Sequence, residues 1–308
     1  MKIAVLGAGA IGCYYGSRLV LSGQDVYFLM RSDREYVAEH GLTINSILGD
    51  IRLEKVNVPE SSKEVEPVDL VLVTWKSTSN NMFAKCLPPL LGPNTKVVTL
   101  ENGMGNAEEL AKWVDPKNIF CGVCFISAFR TTPGHVNHMA NGAISLAPGF
   151  SDAEQIPVAE EIAEILKAAK IPVKVYPNSE DVMWNKVIWN VPFNGLSIVN
   201  NGADVLEILN EPGGEALVVS IMEDVVKAAA ARGFKMRDDV IEKQLEVTYA
   251  MGHYRPSSGI DFMAGRPVEF ESIWKIPLEL AKAAGAELPE WEKLNKQIEE
   301  KLSSRDKG

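Results

Sequence analysis

The chain opens on a short, unbroken apolar run, Ile3-Ala4-Val5-Leu6. Four apolar positions without polar alternation predict a strand buried on both faces of a parallel sheet. Helical spacing follows over about residues 11 to 22, with Leu19, Val20 and Leu21 among the apolar positions and Gly23 as the stop. A second strand is expected from Val26 to Met30. The same pattern marks Asp69 to Trp75 and Lys96 to Leu100, each leading into polar residues at its C-terminal end. Strand and helix signals alternate through this half, which predicts a doubly wound sheet. From Cys121 to Leu146 the texture changes: Pro133-Gly134 and Asn141-Gly142 are turn dipeptides between short β-type runs, and the segment reads as an antiparallel meander.

After Val173-Lys174-Val175-Tyr176, the turn-like Pro177-Asn178-Ser179 introduces helical periodicity in Leu217 to Ala231, Val240 to Met251 and Ile273 to Ala284. The expected fold is therefore an α/β Rossmann-type dinucleotide-binding domain over residues 1–176 followed by an all-helical C-terminal domain over residues 177–308. No internal repeat is visible, and Ser303 to Gly308 is expected to fray.

Composition narrows the classes. With 308 residues, 46% of them hydrophobic, the chain is long enough for two cores and too apolar for disorder. Lys and Arg number 31 against 41 Asp and Glu, a net charge of −10, which argues against nucleic-acid and membrane-surface partners. Four cysteines, at 13, 86, 121 and 124, are too few for a disulfide scaffold of this size, so a reducing cytoplasm is expected. No apolar run approaches the length of a membrane span. At the N-terminus, apolar residues run straight into spaced glycines, unlike a secretory segment. The expected partner is a small molecule, and a homodimer is allowed for.

The strongest local signal is Gly7-Ala8-Gly9-Ala10-Ile11-Gly12, a G-x-G-x-x-G between a strand and a helix. The first glycine permits the tight turn, the second admits a pyrophosphate to the backbone, and the third allows close helix packing, while the helix N-terminus supplies N–H donors. A glycine-rich turn in an unrelated α/β protein is the alternative. Where an NAD-binding unit closes its second strand on an acid, this chain has Met30-Arg31-Ser32. Arg31 suits a 2′-phosphate with Ser32 as a further donor, which favours NADPH; Asp33 keeps NAD open. Lys76 and Asn102 follow expected strands, at the edge where open α/β sheets bind ligands, and Asn102-Gly103-Met104-Gly105 gives backbone room beside a cofactor.

In the helical half, Lys186, Asn190 and Asn194 fall at i, i+4 and i+8 along one drifting stripe, and Pro192 is expected to kink it. A polar row beside Trp184, Ile188 and Trp189 needs partners, and spacing alone is equally compatible with a purely structural hydrogen-bond network. Cys121/Cys124 and His135/His138 resemble metal pairs, but a spacing of three in a strand sends the two side chains to opposite faces, so no metal is expected.

Together these residues resemble the ketopantoate reductase family, nearly end to end. The resemblance rests on Gly7, Gly9 and Gly12; Arg31; Lys76; Asn102 to Gly105; Arg130, Pro133-Gly134 and His138; Trp184-Asn185-Lys186, Asn190 and Asn194; and Pro256-Ser257, Asp261, Ala264 to Pro267 and Glu269. It implies an NADPH-dependent enzyme reducing 2-dehydropantoate, with Lys186 as the general acid. It also implies that Asn102, Asn190, Asn194 and Ser257 hold the substrate, with Glu269 orienting the site or the nicotinamide ribose. Two departures bear on the pocket: Glu101 stands where relatives often carry an amide or imidazole, and Ser258-Gly259-Ile260 replaces bulkier residues before Asp261. A reductase of another small 2-keto acid and a non-catalytic NADP-binding sensor remain the rival readings.

Overall fold

The computed structural model describes residues 1–305. It divides into two compact units, one of Met1–Asn102 with Asn106–Val182 and the other of Gly103–Gly105 with Met183–Gly308.

In the first unit, among the described residues, nine strands form one sheet: β1 (Lys2–Leu6), β2 (Asp25–Leu29), β3 (Leu42–Ser46), β4 (Ile51–Leu53), β5 (Val68–Val73), β6 (Leu91–Thr99), β7 (Ile119–Thr132), β8 (His135–Pro148) and β9 (Val173–Val175). Its helices are α1 (Ala10–Leu21), α2 (Arg34–His40), α3 (Phe83–Cys86), α4 (Asn106–Leu110) and α5 (Ile156–Ala168). Spatial order is β2-β1-β5-β6-β7-β8-β3-β4, with β9 on β8. Strands β2, β1, β5, β6 and β7 are parallel, as the apolar runs and their helical crossovers require. Ile3, Val5, Phe28, Leu70, Leu72, Val98 and Phe120 form the core with Leu19 of α1 and Ile162 and Leu166 of α5.

The segment after Cys121 is a single long hairpin of β7 and β8, not a meander. Its turn is at Pro133-Gly134. Asn141-Gly142 lies inside β8, both residues at positive φ, where the pairing jumps from Phe125↔Ala143 to Ile126↔Asn141. The dipeptide that could reverse the chain serves here as a bulge, because the same left-handed backbone absorbs one extra residue in a ladder.

The second unit, among the described residues, is helical: most of α6 (Ser179–Val199), then α7 (Val205–Asn210), α8 (Gly214–Ala231), α9 (Val240–Ala250), α10 (Ser257–Met263), α11 (Ile276–Ala283) and α12 (Pro289–Arg305), with a π-helical turn at Glu271–Lys275. Helix α6 continues past Pro192, whose ring lacks the N–H that would reach the Ile188 carbonyl. Trp184, Phe193, Trp274 and Trp291 are fully buried at the centre of this core. The expected fraying is not seen over Ser303 to Arg305, which complete α12. The rest of that expectation, residues 306–308, lies outside the described residues.

Candidate active-site residues

On the first unit, the candidate residues share one sheet edge. Leu6 pairs with Val73, and Val73 pairs with Thr99, so the loops after β1, β5 and β6 leave the sheet side by side. The chain turns to opposite sides of β1 at this point, which is where doubly wound sheets take ligands. Gly7 has φ +76°, and a Cβ there would lie 2.3 Å from the Trp75 Cβ and 2.8 Å from its backbone nitrogen. The Gly7 and Ala8 N–H groups both donate to Leu29 O, at 3.0 and 3.1 Å, tying the turn to β2. Gly12 packs so closely that its Cβ would meet the Thr74 Oγ1 at 2.3 Å. Thr74 carries no signal in the sequence, yet its hydroxyl lies 3.0 Å from the carbonyl oxygens of Leu6 and Gly7 and holds the turn in place.

Gly9, at the N-cap of α1, faces open space: the nearest atom to a Cβ there would be Gly7 O, 3.8 Å away. The N–H groups of Ala10, Ile11 and Gly12 open a twelve-residue helix and have no intrahelical acceptor. This is a cradle that fits a pyrophosphate: an opening beside glycine backbone, N–H donors and the positive end of a helix dipole.

Past β2, Arg31 and Ser32 are exposed while Asp33 is buried. Asp33 Oδ1 accepts the Ser32 hydroxyl at 2.9 Å and Arg130 Nη1 at 2.6 Å, and Oδ2 accepts the Gly134 N–H at 3.2 Å. Both oxygens of Asp33 are thus engaged inside the unit. Lys76, half-buried, follows β5. Its loop is tied toward Asn102 by a relay: Trp75 Nε1 donates to Asn80 (3.0 Å), Asn80 to Asn106 (3.0 Å), and Asn106 Nδ2 to the Asn102 carbonyl (3.2 Å). Neither Asn80 nor Asn106 carried a signal in the sequence. Glu101 is buried, and its Oε2 accepts the Thr99 hydroxyl at 2.8 Å.

The second unit holds Gly103, and there the expectation of room beside a cofactor is corrected. With φ +82°, its Cβ would fall 2.1 Å from the Ser272 carbonyl oxygen, and the next N–H, of Met104, donates to that oxygen at 2.8 Å. This glycine is needed for backbone packing on the π-helical turn.

Along α6, Lys186 is half-buried, and Asn190 and Asn194 are buried one and two turns on. Asn194 Nδ2 donates to Asn190 Oδ1 at 3.3 Å, and Asn194 Oδ1 accepts the Ser258 N–H at 2.9 Å and the Ser257 hydroxyl at 3.4 Å. A backbone N–H can only donate, so it fixes the orientation of the Asn194 amide. The structure therefore joins three sequence-selected residues, Asn190, Asn194 and Ser257. Glu269 is 6% exposed and precedes the π-helical turn, its carbonyl accepting the Ile273 N–H at 3.1 Å. Asp261 pairs with Arg266 Nε at 2.9 Å and its carbonyl accepts the Arg266 N–H, so it shapes the Ala264 to Pro267 turn.

The two histidines have other occupations. His138 Nδ1 faces the Ser46 hydroxyl at 2.8 Å and Nε2 faces the carbonyls of Ala140 and Asn141, while His135 Nδ1 meets Pro133 O. Cys13 donates to Ala8 O, and burial, with Asp33 adding to it, pushes its thiol up to about 12; burial likewise raises Cys121. Among the described residues no group of three or more His, Cys, Asp and Glu is placed to hold a metal.

Two family profiles match this chain: "Ketopantoate reductase PanE/ApbA" over residues 3–149, and "Ketopantoate reductase PanE/ApbA C terminal" over residues 178–301. The chain belongs to the ketopantoate reductase family. Its similarity extends to a 2-dehydropantoate 2-reductase of Nostoc sp., 35% identical over 292 residues that cover 94% of this chain and 91% of the relative. One from Halobacterium salinarum is 28% identical over 290 residues, covering 92% of each. The crystal structure of 2-dehydropantoate 2-reductase from Geobacter metallireducens is 37% identical and superimposes with a TM-score of 0.93 over 97% of this chain and 99% of its own. The family's fold, a Rossmann-like domain followed by a helical one, is the architecture found here.

Proposed function

We propose that this ketopantoate reductase family member reduces 2-dehydropantoate (ketopantoate) to pantoate with NADPH, the reductive step toward pantothenate and coenzyme A. The observation that carries the reading is the hydrogen-bonded row Asn190, Asn194 and Ser257 on and beside the helix that bears Lys186. The Asn194 oxygen is taken up by Ser257 and Ser258, so toward a ligand Asn194 offers only an N–H donor. Ser257 donates its own proton to Asn194 and so offers lone pairs. A donor beside an acceptor suits a substrate hydroxyl, which needs both.

Gly7, Gly9, Ala10, Ile11 and Gly12 would hold the pyrophosphate, Arg31 the 2′-phosphate, and Lys76 and Asn102 the part of the cofactor near the sheet edge. When bound, the dinucleotide would supply the hydride that the ketone carbon takes up. Lys186 would take the place of general acid beside the oxygen that receives the displaced electron pair; its ammonium would stabilise that charge, transfer a proton to complete the alcohol, and regain one from solvent. Asn190, Asn194 and Ser257 would fix the carboxylate and hydroxyl, and Glu269 would orient the site or the nicotinamide ribose. The same reading places the enzyme in the cytoplasm, in keeping with cysteines that form no disulfide; among the described residues no helix is long and apolar enough to cross a membrane.

A panel of 2-keto acids assayed with NADPH and with NADH tests the proposal. Ketopantoate with NADPH should give the highest kcat/KM. A higher value for another keto acid would reassign the substrate, and no turnover of any would make the chain a binding protein.

A further inference from the structure

The buried acid after β2 points to a second determinant of cofactor choice. An acid at this place ordinarily accepts hydrogen bonds from an unmodified ribose. Asp33 instead spends both oxygens within the protein, on Ser32, Arg130 and Gly134, with its side chain only 9% exposed. It also gives up the role its position offers, since it stands at the N-cap of α2 and makes no capping bond. The partner that holds it comes from β7, 97 residues away: Arg130 Nη1 meets Asp33 Oδ1 and, at 2.7 Å, the Ser32 hydroxyl. Both of these bonds use Nη1, and the Arg130 side chain is 45% exposed, so further guanidinium donors lie open to solvent beside the residue that follows Arg31.

We infer that Arg130 selects for the 2′-phosphorylated dinucleotide by neutralising Asp33 and offering its remaining donors to the phosphate. The inference rests on the NADPH reading above. Without Arg130, an uncompensated carboxylate at the end of β2 repels a phosphate dianion and is freed to accept from ribose hydroxyls. With it, the acid is masked and the local charge is positive.

The test is binding, not turnover: dissociation constants for NADP+ and NAD+ measured by calorimetry on the full chain. Arg130→Met should weaken NADP+ by about tenfold to a hundredfold, the range of a charge-assisted contact, and leave NAD+ unchanged or tighter. Adding Asp33→Asn to Arg130→Met should recover about tenfold of the loss, a rescue that a merely structural Arg130 would not show. Equal weakening of both dinucleotides, with no rescue, overturns the proposal. Should Arg130→Met not fold, Asp33→Asn alone decides: NAD+ affinity should stay within about threefold, and a tenfold loss would mean that Asp33 reads the ribose after all. Failure of the NADPH reading looks different, since the unmodified protein would then bind NAD+ as tightly as NADP+.

Discussion

Asn194 of α6 caps α10 from 64 residues away, its side-chain oxygen accepting the Ser258 N–H at 2.9 Å. Pro256, at the N-cap of that helix, makes no side-chain cap, so Asn194 satisfies a donor the helix would otherwise leave unpaired. A residue chosen as a substrate ligand is therefore also a strut. Asn194→Ala should destabilise the second unit by about 1 to 2 kcal/mol, and Ser257→Ala, which removes only a 3.4 Å contact at an exposed residue, by less. Urea unfolding of both variants checks this. Equal midpoints for Asn194→Ala and the unmodified protein would remove Asn194 from the cap.

Lys186→Ala should lower kcat by roughly two to four orders of magnitude, because it deletes both the proton donor and the charge facing the developing alkoxide. Dinucleotide affinity should change little. Steady-state kinetics with a parallel binding titration separates the alternatives: an unchanged kcat with a raised KM would make Lys186 a binding residue only.

Arg31→Ala should weaken NADPH by about tenfold to a hundredfold and leave NADH nearly unaffected, since the exposed guanidinium would meet only the 2′-phosphate. Fluorescence titration with both cofactors is sufficient. Equal losses would show that Arg31 serves the whole nucleotide and not the phosphate that distinguishes the two.

What was legible in the sequence was whatever is encoded locally. Gly7, Gly9 and Gly12 report their backbone requirements within six residues, and β1, β5 and β6 announce themselves as apolar runs because they are buried on both faces. Lys186, Asn190 and Asn194 could be grouped because helical periodicity is regular. The Asp33–Arg130 pair and the Asn194–Ser258 cap lie 97 and 64 residues apart, and no local pattern relates their members. Strands β3 and β4 are five and three residues long and carry no strand signal of their own, since half-polar runs such as Leu42-Thr43-Ile44-Asn45-Ser46 become strands only through their neighbours. Gly103 follows the same rule: its need for backbone room is local, but the Ser272 carbonyl that fills the room is not.

His138 should make stability fall as the solution is acidified. Burial pushes its ring below the ordinary histidine value, the Asn141 and Ala140 carbonyls oppose this in part, and Arg18 adds to the lowering. The unfolded chain then takes up a proton that the folded one refuses, so stability is fullest above about pH 6.5 and declines from there toward the lowered folded value. His138→Gln, which keeps a donor for the two carbonyls without a titrating ring, should reduce the proton uptake on unfolding in that window by up to about one proton per molecule. Denaturation at a series of pH values between 7 and 5 measures the slope, and identical slopes would mean that His138 titrates alike in both states.

The substrate's own hydroxyl offers the sharpest test of the Asn190, Asn194 and Ser257 row. Two of these side chains are buried, and a buried polar group left unpaired costs about 1 to 3 kcal/mol. Ketopantoate, whose 4-hydroxyl can accept from Asn194 Nδ2 and donate to Ser257 Oγ, should therefore exceed its deoxy analogue in kcat/KM by at least roughly tenfold. Asn194→Ala removes one side of that match and should shrink the preference more than it lowers activity on the deoxy compound. Because the same substitution also uncaps α10, the comparison has to be made as a ratio of the two substrates within one variant, where a general loss of stability cancels. Comparable kcat/KM values for the two compounds in the unmodified protein would leave a 2-keto acid reductase without selection for the hydroxyl, and Ser258-Gly259, which packs against Ser197 with a glycine Cβ position only 2.0 Å from its hydroxyl oxygen, is where the pocket would then have been reshaped.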